Sequence, residues 1–216
     1  MCIRDSIKAV KKGDTIFGNL HYYSDSITEF WMIKDDDYEL ANSKSLTKLK
    51  DGFQSINFNF KDINGEFISL NDEQFKNKVV VVQILGTWCP NCLDETQFFL
   101  SYLNENPNDD LAFVGLSVEA AKTEERALKR ISSMIEKFDI PYPILLAQYG
   151  STDKEIFLVK IPMLENIISY PTTIIIDKSG KVNSIHTGFN GPATGQAYID
   201  YMNEFESEIK GLLELQ

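Results

Sequence analysis

The sequence predicts an α/β fold: a mixed central sheet flanked by helices, preceded by a partial β-rich segment. Three observations carry that expectation. The run "VVVVQIL" (79–85) is short, continuous and β-branched, which suits a central strand buried on both faces. A second such run, "LAFVGLSV" (111–118), follows a helical stretch, and strands alternating with helices indicate an α/β domain. The chain then closes with two β-prone runs joined by a turn and an amphipathic helix, so antiparallel strands complete a mixed sheet.

Taken in order, Thr15–Lys34 reads as a hairpin around Ser24-Asp25-Ser26. Alone it is marginal, so it belongs to a larger N-terminal β-module or packs on the main domain. The polar stretch "KDDDYELANSKSLTKLKDG" is a connection, with the boundary near Thr47–Gly52: residues 1–50 form the partial β-rich segment and linker, and residues 51–216 the main domain. "INFNFKDINGEFISL" holds two short runs around Asn64-Gly65, the strongest local hairpin signal.

From Pro90 a helix is expected to run to about Asn106-Pro107, with Leu93, Thr96, Leu100 and Leu103 on its inner face. Thr123 caps the next helix, which carries Leu128, Ile131, Ile135 and Phe138 as its apolar stripe. "YPILLA" is a strand and Asp153–Leu158 a short helix. "TTIIIDKSGKVNSIHTG" gives two strands around Ser179-Gly180. The last helix starts at Pro192, with Tyr198, Met202, Phe205, Ile209 and Leu212 facing inward.

Composition removes several function classes. Of 216 residues, 32 are acidic and 21 basic, and the formal net charge of -11 argues against a nucleic-acid or anionic-lipid footprint. The longest apolar run, Val79–Val82, or Val79–Leu85 with Gln83 included, falls far short of the roughly 20 residues of a membrane span. No secretory signal is visible at the start, where "MCIRDS" looks like translated adaptor sequence. The natural N-terminus is therefore expected upstream, and Cys2 is given no role.

Two cysteines remain, in "GTWCPNC" (86–92) at C-x-x-C spacing. At a helix start, residues three apart share a face with Cα atoms roughly 5 Å apart, within disulfide range. A bond closing so short a loop stabilises little, so a structural staple is a poor explanation. Zinc would need a second ligand pair. His21 and His186 stand far apart with no ligand spacing, and no metal is expected. Redox exchange is the reading that fits.

Cys89 lies where the helix dipole and unpaired N–H groups favour a thiolate, and so becomes the nucleophile. Pro90 suits the first turn and stiffens the thiol spacing. Cys92, one turn inward, is placed to resolve a mixed disulfide. Trp88 either shields the disulfide and offers partners a flat surface, or packs. Pro171, in "SYPTTIIID", is expected to be cis from its place relative to the thiols, leaving the backbone groups of Tyr170 free to pair with an extended substrate. Glu95, three residues after Cys92, is either an exposed first-turn acid stabilised by the dipole or a group facing the sheet beneath the thiols, where it would shuttle the Cys92 proton and raise the thiol pKa values.

With "GTWCPNC", Glu95 and "YPTTIIID" in place, the sequence resembles the TlpA-like thiol-disulfide oxidoreductases, an extracytoplasmic branch of the thioredoxin superfamily that includes the reductases of cytochrome c maturation. The resemblance covers about Phe53 to Leu215. It implies a thioredoxin-like fold with Cys89 attacking, Cys92 resolving, Pro171 as the cis-proline and Glu95 as the buried acid. "IHTGFNGPATG" and the β-rich start look like a Bacteroidetes-type subgroup with an extra N-terminal domain. In cytoplasmic thioredoxin a buried aspartate stands six residues before the first cysteine; here Gln83 does, so Glu95 is expected to carry the acid-base role alone.

Gly188, Gly191 and Gly195 match neither dinucleotide nor P-loop spacing and are read as turn and capping residues. His186 is read as a strand residue near the surface. The implied activity is reduction or exchange of protein disulfides, with no cofactor, a protein disulfide as substrate and a membrane or soluble thiol as electron donor, in the periplasm or envelope. Trp88, Pro90 and Tyr170 are the expected substrate-facing residues. Two alternatives remain: a peroxiredoxin-like peroxide reductase, although Thr87 lies only two residues before Cys89 where Thr-x-x-Cys is usual, and a non-catalytic thioredoxin-like binding module.

Overall fold

The computed structural model describes residues 46–215. The hairpin expected at Thr15–Lys34 and most of the 1–50 segment lie outside the described residues.

Seven strands form one mixed sheet: β1 (Asn59–Lys61), β2 (Phe67–Ser69), β3 (Val79–Leu85), β4 (Leu111–Val118), β5 (Ile144–Gln148), β6 (Thr172–Ile176) and β7 (Val182–Thr187). Their order across the sheet is β2-β1-β5-β4-β3-β6-β7. Neighbours β3, β4 and β5 are parallel. β6 and β7 add on antiparallel at one side, and β1 and β2 at the other.

The centre is β3, and its alternation divides the interior in two. Val79, Val81 and Leu85 point to one face, Val80, Val82 and Ile84 to the other. Both faces are covered, which is why the run reads as continuously apolar. Gln83 interrupts it on the first face and is nevertheless buried. That face packs against α1 (Pro90–Glu105), α2 (Glu124–Phe138) and α4 (Gln196–Glu214). The other face packs against Phe58, Phe75, Ile161, Leu164 and Phe157 of α3 (Lys154–Leu158).

Local chemistry accounts for the element ends. In the β1–β2 connection, Asp62 Oδ1 accepts from the backbone N–H groups of Asn64 and Glu66 at 2.8 and 2.9 Å, and Gly65 takes φ 86°. Thr123 caps α2 by accepting from Arg126 N, and Asp153 caps α3 by accepting from Glu155 N.

Three expectations need correction. The inner face of α1 is Cys92, Glu95, Thr96, Phe98, Phe99 and Tyr102, while Leu93, Leu100 and Leu103 are only partly buried. The apolar pattern misplaces the face because one of its fully buried positions, Glu95, carries a carboxyl. Helix α2 buries Ala127, Ile131 and Met134, with Leu128, Ile135 and Phe138 flanking them. Helix α4 starts at Gln196; Pro192–Thr194 is a separate 3-10 turn that ends at Gly195, whose φ of 62° breaks the helical path. Its buried residues are Tyr201, Phe205, Ile209 and Leu212, with Tyr198 and Met202 half-buried.

The first face is an aromatic stack. Phe99 is fully buried, with its ring 5.3 Å from both Phe113 of β4 and Phe205 of α4. Phe99→Ala is expected to cost about 3–5 kcal/mol in urea or guanidinium unfolding. Phe67→Ala, at a side chain that is mostly exposed, is expected to stay within about 0.5 kcal/mol.

Candidate active site

The site forms where β3 ends and α1 begins. Between Leu85 and Pro90 the chain makes a tight turn in which Trp88 folds back over Gly86; a Cβ on Gly86 would lie 2.4 Å from Trp88 Nε1. That nitrogen donates to Val118 O at 2.8 Å, at the end of β4. Next to it, the buried Glu119 receives Thr87 N at 2.9 Å, Thr87 Oγ1 at 2.8 Å and Ser117 Oγ at 2.7 Å. The turn carrying the first cysteine is thus fastened to the end of β4 by three hydrogen bonds, and Ser117 braces the Glu119 carboxylate that takes two of them. Sequence reasoning missed Glu119. Its one signal was a carboxylate closing the buried run "LAFVGLSV".

Cys89 is the N-cap residue of α1, extended at φ -98° and ψ 112°, with Pro90 in the first helical position. Cys89 is 7% exposed as a residue and Cys92 is fully buried, and both thiols are free. The two sulfurs differ in acidity. A hydrogen bond from Cys92 draws the Cys89 thiol below its ordinary value, helped by the backbone N–H groups of Cys92 and Asn91 against burial and the nearby Glu95. Burial lifts Cys92 well above the ordinary range, reinforced by Cys89 and by Glu95.

Pro171 arrives from the other side. Because β6 pairs antiparallel with β3, with Thr172 opposite Ile84, the start of β6 lies beside the end of β3. The Tyr170–Pro171 peptide bond is cis. Cys89 Sγ lies 3.6 Å from Tyr170 O as a donor. Trp88, 41% exposed, sets its ring edge-on to Tyr170 with centroids 5.8 Å apart. Pro90 is exposed and Pro171 buried.

Glu95 is fully buried on the sheet side of α1, so the exposed-acid reading does not describe it. Gln83 Nε2 donates to Glu95 Oε2 at 2.8 Å and to Cys92 O at 3.2 Å. Tyr201 Oη donates to Glu95 Oε1 at 2.9 Å. Thr96 Oγ1 lies within hydrogen-bond distance of both Gln83 Oε1, 3.0 Å, and Cys92 O, 2.8 Å. Burial raises the carboxyl to about 7, against the pull of the Gln83 and Tyr201 donors. Gln83 and Tyr201 hold the carboxyl from two other elements. Tyr201 was missed because the helical stripe was counted from Tyr198 and Met202.

His186 sits half-buried on β7 with Nε2 3.0 Å from Glu208 Oε2, and Glu208 also accepts from Ser184 and from Asn183. The ring lies 5.8 Å from that of Tyr201, one layer outside Glu95. Gly188 and Gly195 take φ 80° and 62°, as turn residues do. Among the described residues no cluster of three or more His, Cys, Asp or Glu is arranged to hold a metal.

Comparison with known proteins gives a consistent neighbourhood. The Redoxin family model matches residues 48–198. The Thioredoxin-like protein YneN of Bacillus subtilis is 31% identical over 146 residues, 68% of this chain and 76% of that protein. Thiol-disulfide oxidoreductase ResA of the same organism is 25% identical over 155 residues, 72% of this chain and 75% of that one. A thiol-disulfide isomerase from Corynebacterium glutamicum shares the fold with a TM-score of 0.56 at 16% identity, over 77% of this chain and all of that one (100%).

The raised Glu95 pKa has a consequence for stability. The folded chain keeps the proton up to about 7, whereas the unfolded carboxyl releases it near 4.5. The neutral form therefore favours folding: its contribution is complete below the unfolded value and is lost as pH rises through the folded one, a difference on the order of 3 kcal/mol. Urea unfolding from pH 4 to 9 is expected to show wild type losing this increment relative to Glu95→Gln as pH rises. Parallel curves would mean that the carboxyl is not held protonated.

Proposed function

The chain belongs to the Redoxin family, and on that premise we propose that it is a thiol-disulfide oxidoreductase that reduces or exchanges protein disulfides through Cys89 and Cys92. The observation that carries this reading is the asymmetry of the pair: a slightly accessible thiol drawn down at a helix N-terminus, and a fully buried thiol pushed up one turn away.

The sequence of steps follows from that asymmetry. The Cys89 thiolate attacks one sulfur of a partner disulfide, the partner's S–S bond breaks, and its other sulfur leaves and takes a proton. Cys92 then gives up its proton. The ionised Glu95 carboxylate is the acceptor, reached through solvent admitted when the partner docks, and Gln83 holds the carboxyl and the Cys92 backbone in one frame. Cys92 attacks Cys89 Sγ, the mixed disulfide opens, and the partner's second sulfur leaves as a thiolate that takes a proton from solvent, so the partner departs as a dithiol. The enzyme is left as the Cys89–Cys92 disulfide, oxidised by two electrons, and a thiol donor returns it to the reduced state.

In this reading Pro171 and Tyr170 present backbone groups to an extended partner segment, while Trp88 and Pro90 form the surface beside the attacking sulfur. The catalytic unit is residues 51–216, of TlpA-like type. The redox chemistry needs no cofactor. By family resemblance the setting is the periplasm or envelope. No helix among the described residues is long and apolar enough to cross a membrane.

Insulin reduction driven by dithiothreitol is expected from wild type and lost in Cys89→Ser. Cys92→Ser, captured under non-reducing conditions, is expected to carry disulfide-linked partners that Cys89→Ser lacks. Equal capture by both variants would overturn the assignment of roles, and failure of the pair to cycle at any potential would remove the function.

A further inference from the structure

We propose that a basic groove beside Trp88 docks an acidic segment of the protein whose disulfide is exchanged, which deepens the functional reading above and rests on it. The groove, about 660 Å³ in volume, opens between the start of α1 and the outer face of α2. Leu93, Met134 and Phe138 supply its apolar surface, and Thr87 and Trp88 close the end next to Cys89.

The remaining lining is cationic: Arg126, Lys129, Arg130 and Lys137. On α2 the arginines and Lys137 recur at steps of four and seven residues, and Lys129 stands one turn before Ser133, so all share one side of the helix. No carboxylate lines the groove. Among the described residues none of the four cations makes an ion pair, although the chain as a whole carries a net charge of -11. Of the helix carboxylates, Glu124 pairs with Lys61 and Glu136 accepts from Ser132, while Glu125, one turn before Lys129, forms no ion pair with it. Lys137 lies over the Phe138 ring at 5.2 Å.

A single-sign patch on an oppositely charged protein concentrates ligands of the opposite charge. Its length selects the ligand. From Arg126 to Lys137 the helix rises roughly 16 Å, which an extended segment of about five residues spans. A small anion would meet only part of the row. Acidic side chains of such a segment reach the cations, its apolar side chains reach Leu93, Met134 and Phe138, and one end comes to Trp88 and hence to Cys89.

The test uses three peptides of equal length with the same internal disulfide, extended by an aspartate- and glutamate-rich run, a serine- and glycine-rich run or a lysine-rich run. Wild type is expected to reduce the acidic peptide with a kcat/KM about tenfold higher at low salt, an advantage that fades as ionic strength rises. In Arg126→Glu/Arg130→Glu the preference is expected to invert, with a lysine-rich peptide becoming the better substrate, a gain that an unfolded variant cannot produce. Equal kcat/KM for acidic and neutral peptides overturns the docking proposal while leaving the thiol chemistry intact. No reduction of any of the peptides removes the underlying function. Sedimentation with phosphatidylglycerol vesicles that is lost in the same variant, without any peptide preference, overturns it in favour of a membrane surface.

Discussion

A carboxyl group with no exposure to water sits on the sheet side of the helix that carries the cysteines, and both of its oxygens must be met from within the fold. Gln83 at the centre of β3 meets one and Tyr201 of α4 meets the other. These residues lie far apart in the chain, so the hydrogen bonds can form only when the first strand of the parallel core, the cysteine helix and the closing helix have all docked. An unpaired buried donor or acceptor here would cost about 1–3 kcal/mol. The network therefore fixes the register of α1 on the sheet, and with it the position of both sulfurs.

From that placement the difference between the thiols follows without further devices. Cys89, at the N-cap, is exposed to the positive end of the helix and to unpaired N–H groups, while Cys92 has lost contact with water. Glu95 opposes both thiolates by charge, and its own burial keeps it largely neutral until about pH 7. The acid therefore ionises near neutral pH. The turn before Cys89 is fastened independently, through Thr87 to Glu119 and Trp88 to Val118, so Cys89 is held by the end of β4 as well as by its own helix.

Much of this was legible in the sequence where one physical signal dominated. "VVVVQIL" could be little else than a doubly buried strand, C-x-x-C before a helix pointed to exchange rather than structure, and Asn64-Gly65 marked its turn. The reading failed where two signals conflicted. Glu95 sits at a first-turn position where an exposed acid is also favourable, so spacing alone could not choose between surface and interior. The apolar pattern of α1 was misjudged for the same reason, since Leu93, Leu100 and Leu103 outscore a carboxyl on any hydrophobic scale. Gln83 looked like a missing aspartate because its hydrogen-bond partner is a residue on another element. Tyr201 and Glu119 join the site only through contacts across the fold, to Glu95 and Thr87, which no local pattern encodes.

Glu95, buried beneath the thiols, opposes both thiolates by charge. The most direct measurement is the pH dependence of iodoacetamide reaction at Cys89 in the reduced protein, compared between wild type and Glu95→Gln. In wild type the profile is expected to be broadened by a second ionisation near pH 7, the value to which burial raises the carboxyl. In Glu95→Gln it is expected to collapse to a single step with the thiol titrating lower, because the opposing charge is gone. Superimposable profiles from two folded proteins would contradict the account.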